Sequence, residues 1–286
     1  MLHNYKIPLP QIPPLAQNLA DKLGSLPQVT AVVLAGSRTI IAADESSDFD
    51  FYVYAAEEIP VEIREKIAIE FSETLEINNQ FWEPADEWID SKTGCGVDIM
   101  YRTPEWIEEQ IDRLLVKHQA SIGFSTCFWW NVLTSVSLYD RNGWFQQLQE
   151  TADRPYPEKL RRAIIAKNHP ILRHNISSFR HQLESAVSRK DSISIVHRTA
   201  ALLGSYFDIV FAVNSLPHPG EKRLVKLATS LCSKLPKNFD RPIDSIANCI
   251  SLPAGDRPIL AAIDALIDSL DELLTESSLI AAKFLS

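Results

Sequence analysis

The 286-residue chain lacks an excess of basic residues, because 28 Lys and Arg stand against 37 Asp and Glu and give a formal net charge of -9. Proteins that bind long nucleic acids gain affinity by neutralising many phosphates with Lys and Arg. A long polynucleotide is therefore not an expected partner. A single nucleotide is still compatible with an acidic protein, because a divalent cation neutralises its phosphates.

Cysteine is scarce, and no segment has the features of a membrane or export signal. The four cysteines are too widely spaced for a paired-cysteine zinc site: Cys95, Cys127, Cys232 and Cys249. The chain does not open with a basic segment followed by an apolar one, and it contains no unbroken apolar run of about 18 residues. We therefore expect free thiols, a cytoplasmic location and no membrane partner.

The length and a hydrophobic content of 45% are compatible with one large domain or two ordinary ones, and we expect two. Strand-like patterns are confined to the first part of the chain, whereas helical spacing prevails after Pro104. We place the boundary near residue 115. The prediction is an α+β domain with a mixed sheet over residues 1–115, followed by an all-α helical bundle over residues 116–286, with a cleft between them.

Apolar periodicity and turn residues give the expected order of elements. Before Pro104 we expect helix, strand, strand, helix, strand, strand, and after it about five or six helices and no strand. The predicted bounds are Pro14 to Leu26, Val29 to Ala35, Phe49 to Tyr54, Pro60 to Leu75, Glu76 to Trp82 and Gly96 to Tyr101, with a polar loop at Ala42 to Ser47 and an acidic turn at Glu83 to Thr93.

Chemistry is indicated by the segment between the first two predicted strands. Gly36-Ser37 follows a buried apolar strand and offers close backbone approach, exposed amides and a hydroxyl to a triphosphate. Asp48 and Asp50 lie two apart at the start of the next strand, so both carboxylates point to one face. Like charges at that separation suit a divalent cation that offsets their repulsion, and Mg²⁺ prefers such oxygen ligands.

A third carboxylate, Asp98, lies in the predicted strand Gly96 to Tyr101 with apolar neighbours on either side. A lone acid in a hydrophobic strand is costly to bury unless it is paired or coordinates a cation. This favours a metal ligand, and the alternative is an edge strand with Asp98 facing water.

These residues resemble the signature of the polymerase-β-like nucleotidyltransferase superfamily: a strand, Gly-Ser, about ten residues, and Asp-x-Asp opening the next strand. Gly36-Ser37, the ten positions 38–47 and Asp48-Phe49-Asp50 follow this order. The chain departs from the pattern at Ile40-Ile41-Ala42, where members often carry a glycine. The two-domain plan with a helical second half is similar to that of antibiotic nucleotidyltransferases.

The resemblance implies two-metal chemistry. Asp48 and Asp50 would bind the Mg²⁺ that bridges the β- and γ-phosphates of a nucleoside triphosphate, with ATP as the expected donor. Asp50 and Asp98 would hold a second Mg²⁺ that activates an acceptor hydroxyl for attack on the α-phosphorus, with pyrophosphate as the leaving group. The leading hypothesis is therefore an enzyme that transfers a nucleoside monophosphate to a hydroxyl of a small molecule.

Further residues are weaker candidates. Lys222 and Arg223 follow a Pro-Gly pair and are candidates for binding nucleotide phosphates, although two solvated basic residues at a helix start are ordinary. Glu83, Asp86 and Glu87, with Trp82, are candidates for an acidic acceptor pocket that attracts cationic molecules, or for a packed surface turn.

The histidines give little indication of a metal. His174 and His181 are seven apart on a predicted helical segment, but the sequence shows no third ligand beside them. A structural or solvated role is therefore favoured over zinc.

Two alternatives to small-molecule transfer stay open. One is nucleotidylation of a protein partner, with the helical domain as a docking surface. The other is a non-catalytic nucleotide-binding or assembly protein, against which the retention of Asp48, Asp50 and Asp98 argues.

Overall fold

The computed structural model describes residues 12–39, 47–81, 83–250 and 258–281. Several features of the sequence lie wholly or partly outside these residues: the polar loop Ala42 to Ser47, the departure at Ile40-Ile41-Ala42, Trp82, and Leu252-Pro253-Ala254-Gly255, whose Pro and Gly suggest a break between helices. The described chain divides into two compact units, one of residues 12–113 and 128–155 and the other of residues 114–127 and 156–281. The sequence placed a single division near residue 115, whereas in the structure residues 128–155 pack with the first unit.

The first unit contains a mixed six-stranded sheet of order β3-β4-β5-β2-β1-β6. Strands β2 and β5 are parallel, and all other neighbouring strands are antiparallel. This sheet and the helices that follow it confirm the predicted fold class of an α+β domain with a helical region. The strands are β1 (Val29–Ala35), β2 (Phe49–Ala55), β3 (Leu75–Asn79), β4 (Ala85–Ile89), β5 (Gly96–Arg102) and β6 (Val136–Asp140).

One face of the sheet packs against helices α1 (Pro14–Gly24) and α2 (Val61–Ala68). Pro14 begins α1, a position where the missing N–H costs no helical hydrogen bond. Alternate side chains of the strands enter this core, including Phe49, Phe51, Val97 and Ile99. Their burial obliges the intervening residues of β2 and β5 to face the opposite side of the sheet.

The opposite face is partly covered by helices α3 (Pro104–Leu115), α4 (Cys127–Thr134) and α5 (Trp144–Ala152). Asn131 of α4 donates a hydrogen bond of 3.1 Å to the hydroxyl of Tyr52 on β2. The ring centroid of Tyr54 lies 5.8 Å from that of Phe145 on α5. Tyr52 and Tyr54 are buried on this face, whereas Asp50 is half-buried and Asp48 is exposed.

Two strands correct the sequence-based expectation. The segment predicted as an acidic turn, Glu83 to Thr93, contains β4, which lies between β3 and β5. Val136 begins β6 at the edge of the sheet beside β1, so the expectation of no strand after Pro104 is wrong. The predicted helix Pro60 to Leu75 is also shorter, because α2 ends at Ala68.

The second unit is helical within the part of the chain that the structure describes. From Pro104 onward the described residues form nine helices rather than five or six, because several predicted helices are divided by short turns. Those after α5 are α6 (Glu158–Arg173), α7 (Phe179–Ser188), α8 (Ser192–Val213), α9 (Leu224–Leu231), α10 (Asp240–Ile250) and α11 (Ile259–Glu276).

Among the residues that the structure describes, helix α8 is long and apolar enough to cross a membrane, by length and composition only. Most of the helix is buried inside the second unit, as it is in the core helix of a globular domain. Its carboxylate Asp208 is 1% exposed. The Asp208 carboxylate accepts hydrogen bonds from the backbone and hydroxyl of Ser125 and from the amide of Asn168, which fix the segment before α4 against α6 and α8.

Candidate active site

The three predicted catalytic acids lie together at the start of β2 and β5. Parallel pairing places Asp50 directly opposite Asp98, and Asp48 precedes Asp50 by two residues. Residues that pair directly across neighbouring strands project from the same face. Asp98 is on an internal strand, with β2 on one side and β4 on the other, so the edge-strand alternative is excluded.

The acidic row continues across the sheet beyond these three residues. Glu87 of β4 pairs with Asp98, and Glu76 of β3 pairs with Glu87. The row Asp50, Asp98, Glu87 and Glu76 therefore crosses four strands in register on one face, with neighbouring strands about 4.8 Å apart. Sequence reasoning did not place Glu76 in the site, because the pairing that brings it there depends on the unpredicted strand β4.

Glycine makes room for two of the carboxylates. Gly36 has φ of 67°, and a Cβ built on it would lie 2.6 Å from the carboxylate carbon of Asp50. A Cβ built on Gly96 would lie 2.5 Å from Oδ1 of Asp48. The sequence suggested Gly36 as a place for close approach of a triphosphate, whereas the contact within the chain is with Asp50. Gly96 was not predicted as a site residue.

The turn that carries Gly36 also contains Arg38, whose side chain contacts the start of β2. Gly36 to Thr39 forms a short 3₁₀ turn directly after β1, and Ser37 is half-buried within it. The Arg38 guanidinium carbon lies 3.7 Å from the centre of the Phe49 ring, and its Nε donates to the backbone oxygen of Asp48 at 3.2 Å. Arg38 thereby contacts both Phe49, which lies between the two acids in sequence, and the backbone of Asp48.

Negative charge accumulates along the row. Partial burial raises the pKa of Glu87, and the nearby charges of Asp98 and Glu76 raise it further. Each added carboxylate makes ionisation of its neighbour more costly. A cation placed against this row would relieve that repulsion.

The three acids predicted to form an acceptor pocket separate in the structure. Glu83 makes a two-pronged ion pair with Arg102, with both N–O distances at 2.7 Å. Asp86 is 1% exposed and faces the apolar core, where Arg64 binds it at 2.9 Å. The expectation was therefore wrong for Asp86, and of the three only Glu87 joins the acidic row.

Lys222 and Arg223 belong to the second unit and are exposed. Helix α9 begins at Leu224, so the pair directly precedes the helix, and Arg223 has φ of 57° at its N-terminal cap. Their predicted role in binding nucleotide phosphates stays a prediction.

Comparisons with known proteins add a structural similarity to this geometry of acids on a mixed sheet. The fold is similar to that of a nucleotidyltransferase-like protein from Exiguobacterium sibiricum 255-15, with 11% identity and a TM-score of 0.42, over 94% of this chain and 77% of that one. No protein-family model matches the chain, and no curated protein is significantly similar to it. At this distance the similarity carries no conclusion about activity.

Proposed function

We propose that the protein transfers a nucleoside monophosphate from a nucleoside triphosphate, ATP being the expected donor, to a hydroxyl of a small molecule with release of pyrophosphate. The observation that carries this proposal is the convergence of Asp48, Asp50 and Asp98 at the start of two parallel strands. Nucleotidyl transfer needs such a set of carboxylates, because the triphosphate is highly charged and must be bound through cations.

The residues fit a pair of Mg²⁺ ions. The donor set consists of hard carboxylate oxygens on one face, and glycine stands at both positions where a Cβ would fill the space beside them. Asp48 and Asp50 would hold one ion, and Asp50 and Asp98 would hold the other. Bound Mg²⁺ would offset the charge of the phosphates and stabilise the attacking and leaving oxygens.

The chain's own groups then orient the reaction and receive a proton. Asp98, opposite Asp50, accepts the proton of the acceptor hydroxyl as its oxygen bonds to the α-phosphorus. The bond between the α-phosphorus and its bridging oxygen breaks, and that oxygen leaves with pyrophosphate. The amides and hydroxyl of Gly36-Ser37 are the candidate donors to the triphosphate.

Glu87 and Glu76 favour a cationic acceptor. They extend the acidic row away from Asp98, in the direction of β3. An amine of the acceptor placed there would lower the repulsion that raises the pKa of Glu87. Amino sugars of the aminoglycoside type are acceptors with both hydroxyls and amines.

The test measures labelled nucleotide binding and pyrophosphate release with Mg²⁺ over a panel of amino sugars, neutral sugars and proteins. Wild type is compared with Asp50→Asn, Asp98→Asn and the matched control Glu62→Gln, which removes an exposed acid of α2. Loss of the general base should reduce turnover by roughly 100-fold to 10,000-fold in Asp98→Asn, while the control keeps wild-type activity.

Other outcomes would overturn the proposal. If label is transferred to a protein rather than to a small molecule, protein nucleotidylation replaces it. If no triphosphate binds wild type with any divalent metal, the catalytic interpretation fails.

A further inference from the structure

A cluster in the second unit brings two imidazoles to one buried carboxylate. His169 lies within α6, His174 is the residue that ends it, and Asp271 is on α11. The Nε2 atom of His169 is 2.6 Å from Oδ1 of Asp271, and that of His174 is 3.9 Å from Oδ2. One ligand atom from each residue lies within 4.8 Å of the others.

We propose that His169, His174 and Asp271 form a binding site for a divalent transition metal, with Zn²⁺ as the physiological candidate. Two imidazole nitrogens and a carboxylate oxygen are a donor set that proteins use for Zn²⁺ and its neighbours, with solvent in the remaining position. The site is independent of the proposed nucleotidyl transfer, whose carboxylates belong to the first unit.

The distances fit a site that closes on its ion. In tetrahedral coordination at the usual zinc bond lengths, ligand atoms lie roughly 3.3 Å apart. The His169–Asp271 contact would lengthen by under about 1 Å, and His174 would move inward. His174 can move because it lies at the end of α6 and its side chain is 22% exposed, whereas burial limits Asp271 and His169 to small shifts.

The surrounding charges are also compatible with a dication. Arg173 donates to Oδ2 of Asp271 at 2.7 Å and to Asp268 at 2.6 Å. Its charge therefore meets two carboxylates, and the group retains one net negative charge when the histidines are neutral. Arg173 retains Asp268 as a partner when an oxygen of Asp271 coordinates the metal.

The test uses the full-length protein after removal of metals with a chelator. Zn²⁺ is titrated by calorimetry in excess Mg²⁺, which competes with Zn²⁺ for the carboxylates of the first unit, and Co²⁺ serves as a spectroscopic probe of nitrogen ligands. We expect one Zn²⁺ per chain and a rise in melting temperature, because a ligand of the native state stabilises it. His174→Ala should weaken Zn²⁺ binding by roughly tenfold or more.

His181→Ala is the matched control, because it removes an exposed histidine of α7 in the same unit. It should bind Zn²⁺ as wild type does, and circular dichroism should show both variants to be folded. The proposal is overturned if wild type binds no Zn²⁺ in excess Mg²⁺, or if His174→Ala binds as tightly as His181→Ala. Either result would identify the cluster as an interhelical hydrogen-bond network only, whatever the nucleotidyl-transfer assay shows.

Discussion

Replacing Gly36 with alanine should displace the carboxylate of Asp50 while leaving Asp50 itself unsubstituted. The added Cβ would lie 2.6 Å from the carboxylate carbon of Asp50 and 3.0 Å from its Cβ. Ordinary contacts between carbon atoms are about 3.5 to 4.0 Å. The carboxylate must therefore move by about 1 Å or rotate away, which removes Asp50 from its place opposite Asp98.

The expected loss of stability has two parts. A left-handed φ costs a residue with a Cβ about 1 to 2 kcal/mol, and Gly36 has φ of 67°. Forcing Asp50 off its rotamer adds about 0.5 to 1.5 kcal/mol. The free energy of unfolding should fall by roughly 1.5 to 3.5 kcal/mol, which urea denaturation measures.

Gly143→Ala separates these parts. Gly143 has φ of 71° but nothing within 4 Å of its built Cβ, so this variant carries the backbone strain alone. It should lose about 1 to 2 kcal/mol and bind Mn²⁺ or Mg²⁺ as wild type does. Gly36→Ala should bind the metal at least about tenfold more weakly, because disturbing the groups that orient metal ligands typically lowers affinity by that much. Equal metal affinities in the two variants would refute the reasoning.

Three more outcomes are expected. Burial raises the pKa of Asp208 to about 7, so the wild-type free energy of unfolding should fall by up to about 4 kcal/mol as pH rises from 4 to 8. Urea denaturation measures this fall, and an equal fall in Asp208→Asn would contradict the prediction. Glu87→Gln should raise KM for a cationic acceptor about two- to fivefold and leave KM for a neutral one unchanged; equal KM changes would count against a cationic subsite. Burial raises the pKa of Cys127 to about 12, so iodoacetamide at pH 8 should modify it far more slowly than Cys95. Peptide mass spectrometry measures both rates, and equal alkylation rates of the two thiols would contradict the prediction.

The sign of the Asp208 effect follows from its pKa. Between pH 4 and 7 the folded chain keeps the proton on Asp208, while the unfolded chain has lost it. Stability contributed by the raised pKa is therefore fully present below about pH 4 and is lost as pH rises through about 7. A neutral Asp208 is also compatible with its surroundings, because the Ser125 hydroxyl has an alternative acceptor in the backbone oxygen of Ser121 at 3.2 Å.

The central strands could be predicted because their residues reveal burial directly. β1 has the predicted bounds, Val29 to Ala35, and β2 and β5 differ from prediction by one residue at their ends. Apolar residues that continue or alternate are sufficient evidence for such strands. The place of Asp98 in an apolar strand supported it as the third carboxylate that the family resemblance implies.

Strand β4 could not be predicted because its acidic residues are typical of a turn, and the partners that make one of them acceptable in a buried strand are revealed only by the fold. Asp86 looks like a solvated turn residue, but it is buried beside Arg64 and accepts a hydrogen bond from the hydroxyl of Tyr101 at 2.7 Å. Buried charge becomes acceptable only when such partners are present. The same missing information concealed Glu76, which reaches the acidic row only through β4.

The direct pairing of β2 with β5 has a consequence for engineering. Residues 56–95 connect the two strands, yet the register that aligns Asp50 with Asp98 is set by the hydrogen bonds between the strands themselves. The hairpin of β3 and β4 carries the outer acids Glu87 and Glu76. Under the proposed function, changes at Glu87 and Glu76 should therefore alter acceptor preference, while the pairing that aligns Asp50 with Asp98 is unchanged.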